Sequence, residues 1–356
     1  MMILLSLWLL FALARAQNIT TNFAEWFNVT TFPKEQWKNV SKLLSEAQEI
    51  ASPEVFPDFM HRCILVQAYP ELGDATSNPG WVTPASPFRD VFFVGQSAWS
   101  SWAIDTGNRE LLLIDTLATP EEAEKVIIPG LESFGYSGRD VKSIVITHEH
   151  TDHFGGLAYF QKHFNPYVYA SETTWVAMAN SNFNPPEYYN YSKARTLDDG
   201  ETLDMNGLQM QAYHTPGHTP GCISLTFPVV DKLTQESHRV GLYGGGGIPR
   251  SAAAMVQQVN SWTRWSELSR AVGVDVLMSN HQTQDHSLWN LDLLRHRDCE
   301  GTQCNIPNPY VIGTDAYVRY SKVMSLCVQV QAARSGVSLS GEGFSKRDAV
   351  DENCHG

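Results

Sequence analysis

Residues 141–156 read VKSIVITHEHTDHFGG, and this stretch decides the fold. The apolar run over 141–147 predicts a buried β-strand. Four side chains that can bind a metal follow it within the six residues HEHTDH: His148, His150, Asp152 and His153. The glycine pair at 155–156 allows the start of a helix to pack close to the same point. The pattern predicts a strand that ends in a metal site.

The donor types in this stretch indicate which metal it binds. Imidazole nitrogens with one carboxylate are a ligand set typical of zinc, with positions left open for water. On a turn that leaves a strand, His148 and His150 alternate towards one side, and Asp152 and His153 come round to an adjacent position. Two cations could therefore be held close together. A lone histidine is more often a surface or core residue, but so dense a cluster is rarely incidental.

A second patch at residues 214–221 reads HTPGHTPG and again follows an apolar run. Its Pro-Gly pairs fix a tight turn that projects His218 inward. His214 comes earlier, at the end of the predicted strand, and can be a simple strand-end residue. His218 is therefore the expected ligand of this patch.

A third patch at residues 276–281 reads VLMSNH, a buried strand that ends in a histidine. His281 would complete a second metal site. His286 is the competing candidate, because it follows within the same segment.

The regions around these patches alternate between strands and helices. We predict strands over 91–94, 110–115, 141–147, 167–170, 208–213, 223–227, 240–243 and 274–278. We predict helices over 34–50, from Thr119 until a stall near 129–130, and over 155–164, 171–179 and 252–271. Helices on the outer faces of two stacked sheets would give an α/β fold of four layers, αββα, with the site at the sheet edges.

The start of the chain predicts export. The apolar run over 3–13 is too short to span a bilayer and is followed by Ala14-Arg15-Ala16, which predicts a signal peptide over 1–16. A buried N-terminal helix is the alternative. Glycosylation sequons agree with a secreted, extracellular glycoprotein; they begin at Asn18, Asn28, Asn39 and Asn190. No second long apolar segment follows, so we expect no membrane anchor.

The remaining chain divides into three parts. We expect an N-terminal extension over 17–90, the catalytic domain over 91–297, and a C-terminal helical extension and tail over 298–356. A net charge of −13, with no basic run longer than Lys346-Arg347, argues against nucleic acid or an anionic membrane as partner. We therefore expect a small-molecule substrate. The sequence leaves the oligomeric state open.

Six cysteines are an even number in a chain expected to fold in an oxidising compartment, so disulfides are predicted. Cys299 and Cys304 are near enough to close a small loop. Cys63 can reach the C-terminal region through Cys327 or Cys354. Cys222 is interpreted as buried and free.

The H-x-H-x-D-H pattern, the P-G-H-T-P-G turn and the late strand-end histidine resemble the metallo-β-lactamase superfamily over roughly 92–281. The resemblance implies that His148, His150 and His218 hold one zinc. It implies that Asp152, His153 and His281 hold a second, so that the cofactor would be two Zn²⁺ ions.

The resemblance also indicates a subclass. In many relatives, such as glyoxalase II and the lactonases, a bridging aspartate follows the strand that corresponds to 240–243. Here residues 244–247 read GGGG. The chain is therefore most similar to the third subclass of metallo-β-lactamases, in which the second zinc uses an aspartate and two histidines.

The expected reaction chemistry depends on the two metal ions that the resemblance implies. Two zinc ions that share one oxygen would lower the pKa of water to about 7 and supply a metal-bridging hydroxide. Asp152 would orient this nucleophile, and Asp115 is a candidate acceptor behind a metal-binding histidine.

We expect a secreted zinc hydrolase that cleaves a lactam-like amide or ester bond. The alternatives are a lactonase or thioesterase of the same fold, an iron-dependent oxidoreductase that uses the same ligand motif, or a binding protein without activity.

Overall fold

The computed structural model describes residues 30–70, 79–181 and 191–339. Seven strands form a first sheet in the order β1 to β7. Their bounds are Ala85–Phe88, Val91–Phe93, Trp102–Asp105, Leu111–Ile114, Val141–Val145, Tyr167–Ala170 and Ala194–Thr196. Strands β1 to β4 pair antiparallel, and β4 to β7 pair parallel. The carboxyl ends of β4, β5 and β6 therefore share one edge of the sheet.

Five strands form a second sheet in the order β12-β11-β10-β9-β8. Their bounds from β8 to β12 are Thr202–Met205, Leu208–His214, Ile223–Val230, Ser237–Leu242 and Val276–Met278. Only β11 and β12 pair in parallel within this sheet. A hairpin, β13 (Cys299–Glu300) with β14 (Gln303–Cys304), stands apart from both sheets.

The helices lie before, between and after these strands. Helices α1 to α6 are Trp37–Phe59, Val66–Ala68, Pro120–Glu122, Ile128–Ser133, Thr151–Phe154 and Leu157–His163. Helices α7 to α11 are Glu172–Ala179, Ala252–Val272, Gln282–Asp285, Ser287–Arg295 and Thr314–Arg334. Two π-helical segments, Met60–Leu65 and Ala123–Ile127, connect α1 to α2 and α3 to α4.

Three apolar clusters separate four layers. The middle cluster joins the two sheets, with Phe93 and Leu112 from one and Leu225 from the other. A second cluster packs the π-helical segment Ala123–Ile127, α4 and α6 on the outer face of the first sheet. The third packs α1, α8 and α11 on the outer face of the second sheet, where Trp265 is fully buried. The predicted αββα architecture is confirmed.

Two helices run further than their prolines suggest. Helix α1 begins at Trp37 and continues to Phe59, because Ser52 adopts a non-helical conformation (φ 52°) and Pro53 begins a new helical turn behind it. The expected stall near residues 129–130 is wrong. Pro129 lies in the first turn of α4, where a missing backbone N–H costs nothing, and the helix continues to Ser133.

The described residues contain two disulfides, one between distant segments and one within a hairpin. Cys63 bonds to Cys327 on α11, and Cys299 bonds to Cys304 across the small hairpin. Cys222 is buried and unpaired, as predicted. The first disulfide fixes the end of the N-terminal helical segment against α11, and α1 and α11 lie in one layer.

Several sequence predictions fall outside the described residues. These are the signal peptide, the sequons at Asn18, Asn28 and Asn190, and the tail with Cys354. Within the described ranges, no helix combines the length and the apolar character needed to cross a membrane.

Candidate metal centre

The histidine-rich segment leaves β5 at the carboxyl edge of the first sheet. His148 and His150 lie in the turn after the strand, and Asp152 and His153 lie in α5. The helix begins at Thr151, four residues earlier than the sequence suggests. Asp152 and His153 are therefore adjacent positions of one helical turn, which directs them to the side next to the two preceding histidines.

His148, His150 and His218 form a first group of possible ligands. Their candidate ligand atoms all lie within 4.8 Å of one another. The ring centroids are 5.0 Å apart for His148 and His150, and 4.6 Å apart for His150 and His218. His218 comes from the turn between β9 and β10, so the second sheet completes a group that begins on the first.

Asp152, His153 and His281 form the second group, again within 4.8 Å. Asp152 Oδ2 is 3.1 Å from His153 Nε2 and 3.5 Å from His281 Nε2. His281 follows β12 and precedes α9. The rings of His148 and His153 are 4.1 Å apart, so the two groups are neighbours.

Each imidazole ring of the second group is held in place by a contact between its Nδ1 atom and an oxygen atom. His153 Nδ1 is 2.7 Å from Asp115 Oδ2, which is the outer contact expected from the sequence. Asp115 also accepts hydrogen bonds from the backbone N–H and the hydroxyl of Thr147, both at 2.8 Å. His281 Nδ1 is 3.2 Å from the carbonyl oxygen of Ala98. These contacts leave both Nε2 atoms facing Asp152.

The electrostatics of the first group favour neutral rings. Burial lowers the pKa of His148 and of His218 well below the usual value, and neighbouring histidines lower it further. The pKa of His150 is also lowered, chiefly by burial. Metal ligation requires the neutral imidazole, so the group is in the correct protonation state for a cation.

The second group carries the negative charge of the site. Burial alone would raise the pKa of Asp152, but His153 holds that pKa below the usual range. Burial would lower the pKa of His153, yet Asp152 and Asp115 raise it above its ordinary value. Two carboxylates therefore favour a positive charge at this ring, which a metal cation can supply in place of a proton.

An orphaned buried atom tests whether a metal fits. His148 is fully buried, and its Nδ1 lies 3.2 Å from the hydroxyl of Thr147. Its Nε2 atom is buried and has no hydrogen-bond partner among the described residues. Such a loss costs about 1–3 kcal/mol unless another partner binds the nitrogen. A cation within the first group would provide that partner, so the residues present fit a metal.

The glycine run at 244–247 closes one side of the first group. A Cβ atom on Gly247 would lie 2.2 Å from Cε1 of His218, and one on Gly245 would lie 2.2 Å from Sγ of Cys222. No ordinary side chain fits at either position. The run therefore brings backbone against His218, and it supplies no carboxylate to either group.

The two competing histidines lie elsewhere. His214 Nε2 is 2.9 Å from the carbonyl oxygen of Leu197, outside both groups. His286 Nε2 is 3.1 Å from Asp58 Oδ1, and the imidazole ring of His286 stacks on the ring of Trp289. The preference for His218 and His281 over these neighbours agrees with the geometry.

Glu149 was not predicted to matter, because it stands between two stronger candidates. Its Oε2 atom accepts hydrogen bonds from the hydroxyls of Thr174 and Thr219, at 3.1 and 2.8 Å. Its Oε1 atom accepts a third from the backbone N–H of Gly221, at 3.1 Å. Glu149 thus ties the turn of His148 and His150 to the turn of His218. The sequence signal for this role is an acidic residue placed between the two histidines His148 and His150.

The fold places two groups of histidine and aspartate at the sheet edges, and together they define a candidate metal centre. Residues 95–231 match the metallo-beta-lactamase superfamily, and the chain carries a domain of that superfamily with its fold. BJP-1, a subclass B3 metallo-beta-lactamase of Bradyrhizobium japonicum, is 23% identical with a TM-score of 0.54, over 70% of this chain and 92% of that chain.

Curated relatives match over shorter segments. A hydroxyacylglutathione hydrolase of Idiomarina loihiensis is 29% identical over 127 residues, which cover 36% of this chain and 42% of the relative. Exodeoxyribonuclease WalJ of Streptococcus pneumoniae is 30% identical over 96 residues, which cover 27% of this chain and 34% of the relative. The chain spans less than half the length of either relative.

The Glu149 contacts give a first testable prediction. Glu149→Ala removes three accepted hydrogen bonds, so we expect the affinity for Zn²⁺ to fall on the order of tenfold or more. Competition with a chelator measures this affinity, and Glu267→Ala on the exposed face of α8 is the matched control. An unchanged zinc affinity, together with a lower free energy of unfolding, would reduce Glu149 to a structural residue.

Proposed function

We propose that the chain is a secreted binuclear zinc hydrolase that cleaves a lactam-like amide or ester bond in a small molecule. The observation that carries the proposal is the pair of neighbouring ligand groups, one of three histidines and one of Asp152 with two histidines. Zinc suits this donor set because imidazole and carboxylate are its usual ligands. With no carboxylate at the glycine run, the second group matches the subclass that uses an aspartate and two histidines.

Bound at these positions, two zinc ions would supply a hydroxide near neutral pH and polarise the carbonyl group of the substrate. The chain's own residues set the direction of attack. The carboxylate of Asp152, about one quarter exposed, accepts a hydrogen bond from the attacking water and aims its lone pair at the carbonyl carbon. Asp115 and the carbonyl of Ala98 hold the rings of His153 and His281, so that these rings do not rotate away from Asp152.

Export and substrate class complete the proposal. The signal peptide predicted over 1–16 and the two disulfides support a protein that folds in an oxidising compartment and acts outside the cell. The net charge of −13 favours a small molecule over nucleic acid. A thioesterase is the second candidate, because several of the curated relatives are hydroxyacylglutathione hydrolases.

The test measures metal and turnover together on purified protein. We expect two zinc ions per chain and hydrolysis of a chromogenic cephalosporin. A lactone, a glutathione thioester and single-stranded DNA are tested separately as alternative substrates. His218→Ala should lose zinc and turnover, because His218 belongs to the first group. His214→Ala should keep both, because His214 lies outside the two groups.

Other outcomes reassign the protein. Turnover of the thioester alone would establish the second candidate, and degradation of DNA alone would place the chain with the nuclease-like relatives. One iron per chain with oxygen consumption would replace hydrolysis by oxidation. Equal loss of metal in the two variants would contradict the ligand assignment.

A further inference from the structure

A cavity of about 310 Å³ lies between the N-terminal helical segment, residues 248–250 after the glycine run, and the end of α11. Its lining includes the apolar residues Val66, Ile248 and Met255, and the amide of Gln331. Two arginines, Arg62 and Arg250, complete it. This volume is at the lower end of the range of small-molecule sites, which combine apolar walls with a few polar groups.

The charge of this cavity is opposite to the charge of the chain. None of its lining residues is an aspartate or a glutamate, although the whole chain carries a net charge of −13. Arg250 is exposed and forms no ion pair with any residue in the described ranges. Two cations without a carboxylate partner therefore face one small space.

Arg62 is the more unusual of the two. Its Nη2 atom is buried and lacks a hydrogen-bond partner within the described part of the chain. Burial lowers the pKa of Arg62 to about 10, so the guanidinium remains charged near neutral pH. Arg62 is partly buried as a whole, and the burial of this one nitrogen is offset by no hydrogen bond from the described residues. An anion beside the guanidinium would compensate part of that cost.

The backbone around Arg62 holds it in place. Arg62 lies in the π-helical segment Met60–Leu65, a conformation that is rare and often found at functional sites. The adjacent Cys63 is bonded to Cys327 on α11. The guanidinium is therefore presented from an anchored turn, which reduces the entropy lost when it binds a ligand.

The cavity also adjoins the metal centre. Ile248 follows Gly247 directly, and Gly247 is the residue whose backbone packs against the ring of His218. The glycine run therefore forms a wall of the first metal group and leads into the wall of the cavity.

We propose that this cavity binds the carboxylate of a small organic anion between Arg62 and Arg250. Guanidinium groups match carboxylates because their N–H donors form paired, charge-assisted hydrogen bonds. The apolar walls receive the carbon skeleton next to the charge. Where the anion is the substrate itself, this inference rests on the proposed function and narrows the substrate to an acidic molecule.

The experiment separates binding in the cavity from turnover. Sodium butyrate, with butyramide as the neutral counterpart, is titrated calorimetrically into the zinc-loaded protein. We expect butyrate to bind the wild type and to bind Arg62→Gln and Arg250→Gln about tenfold or more weakly. Arg270→Gln is the matched control, because Arg270 lies on the surface of α8 and pairs with Asp315. Arg250 is exposed, so its variant should fold even where Arg62→Gln does not.

Turnover then identifies the source of the carboxylate. The KM of a chromogenic cephalosporin with a free carboxylate should rise in both arginine variants, whereas the KM of its methyl ester should not. A loss of butyrate binding without a change in KM would assign the cavity to a free anion. Absence of all turnover would remove the proposed function and leave the butyrate titration to decide the cavity. Equal butyrate binding by wild type, Arg62→Gln and Arg250→Gln would overturn the inference.

Discussion

Asp152→Ala is expected to lose turnover by about 10²- to 10⁴-fold, the range observed when a positioned acid–base group is removed. Asp152 is the only carboxylate in either ligand group, and its Oδ2 atom lies 3.1 and 3.5 Å from the Nε2 atoms of His153 and His281. Without it, the second group retains two histidines, too few to hold a cation firmly. We therefore expect zinc content to fall from two ions per chain to about one.

Metal analysis and single-substrate kinetics on the same preparation check this prediction. Loss of a zinc ion by itself lowers the stability of the loaded protein, so unfolding is compared between the metal-free forms of wild type and variant, and both should unfold cooperatively. Asp292→Ala on the surface of α10 is a control with the same loss of charge. A variant that keeps two zinc ions and full turnover would exclude Asp152 from the metal centre and from catalysis.

Replacing Cys63 and Cys327 together with serine should cause the largest loss of stability. The bond joins residues 264 positions apart, so it removes much of the freedom of the unfolded chain. Chain-entropy arithmetic for a loop of this length gives about 5.6 kcal/mol. The serine hydroxyls also enter a fully buried site, which adds to the destabilisation.

Urea unfolding compares this variant with one in which Cys299 and Cys304 are replaced by serine. The second bond spans only 5 positions, for which the same arithmetic gives about 2 kcal/mol. The difference between the two variants therefore isolates the dependence on loop length. Equal losses would show that native-state packing, rather than the freedom of the unfolded chain, controls the stabilisation.

The fold could be predicted because its strands are short apolar runs that end in turn residues. The candidate ligands could be predicted for the same reason, since His148 and His281 each come just after a buried strand. Helix bounds were less predictable. Ser52 allows α1 to continue past Pro53 through one unusual backbone angle, and no residue pattern announces that angle.

The roles of Glu149 and Arg62 could not be predicted from the sequence, because they depend on contacts between distant segments. Glu149 acts through Thr174 and Thr219, which lie 25 and 70 positions away and have no pattern in common with it. Arg62 shares a cavity with Ile248 and Arg250 because the N-terminal helical segment packs against the last helix. Local sequence patterns indicate strands and turns. They do not indicate that a charged residue such as Arg62 will line a cavity formed by segments that are distant in the sequence.

The pairing of the first and last helices has a consequence for synthesis on the ribosome. Cys63 is made 264 residues before Cys327, and at 5–20 residues per second this interval lasts roughly 13 to 53 s. During that time the apolar face of α1 has no α11 to cover it; this face includes Val40, Leu43, Val55 and Phe59. A nascent chain would need shielding by chaperones until its final helix emerges, and a truncation before residue 314 would leave this face without α11 permanently.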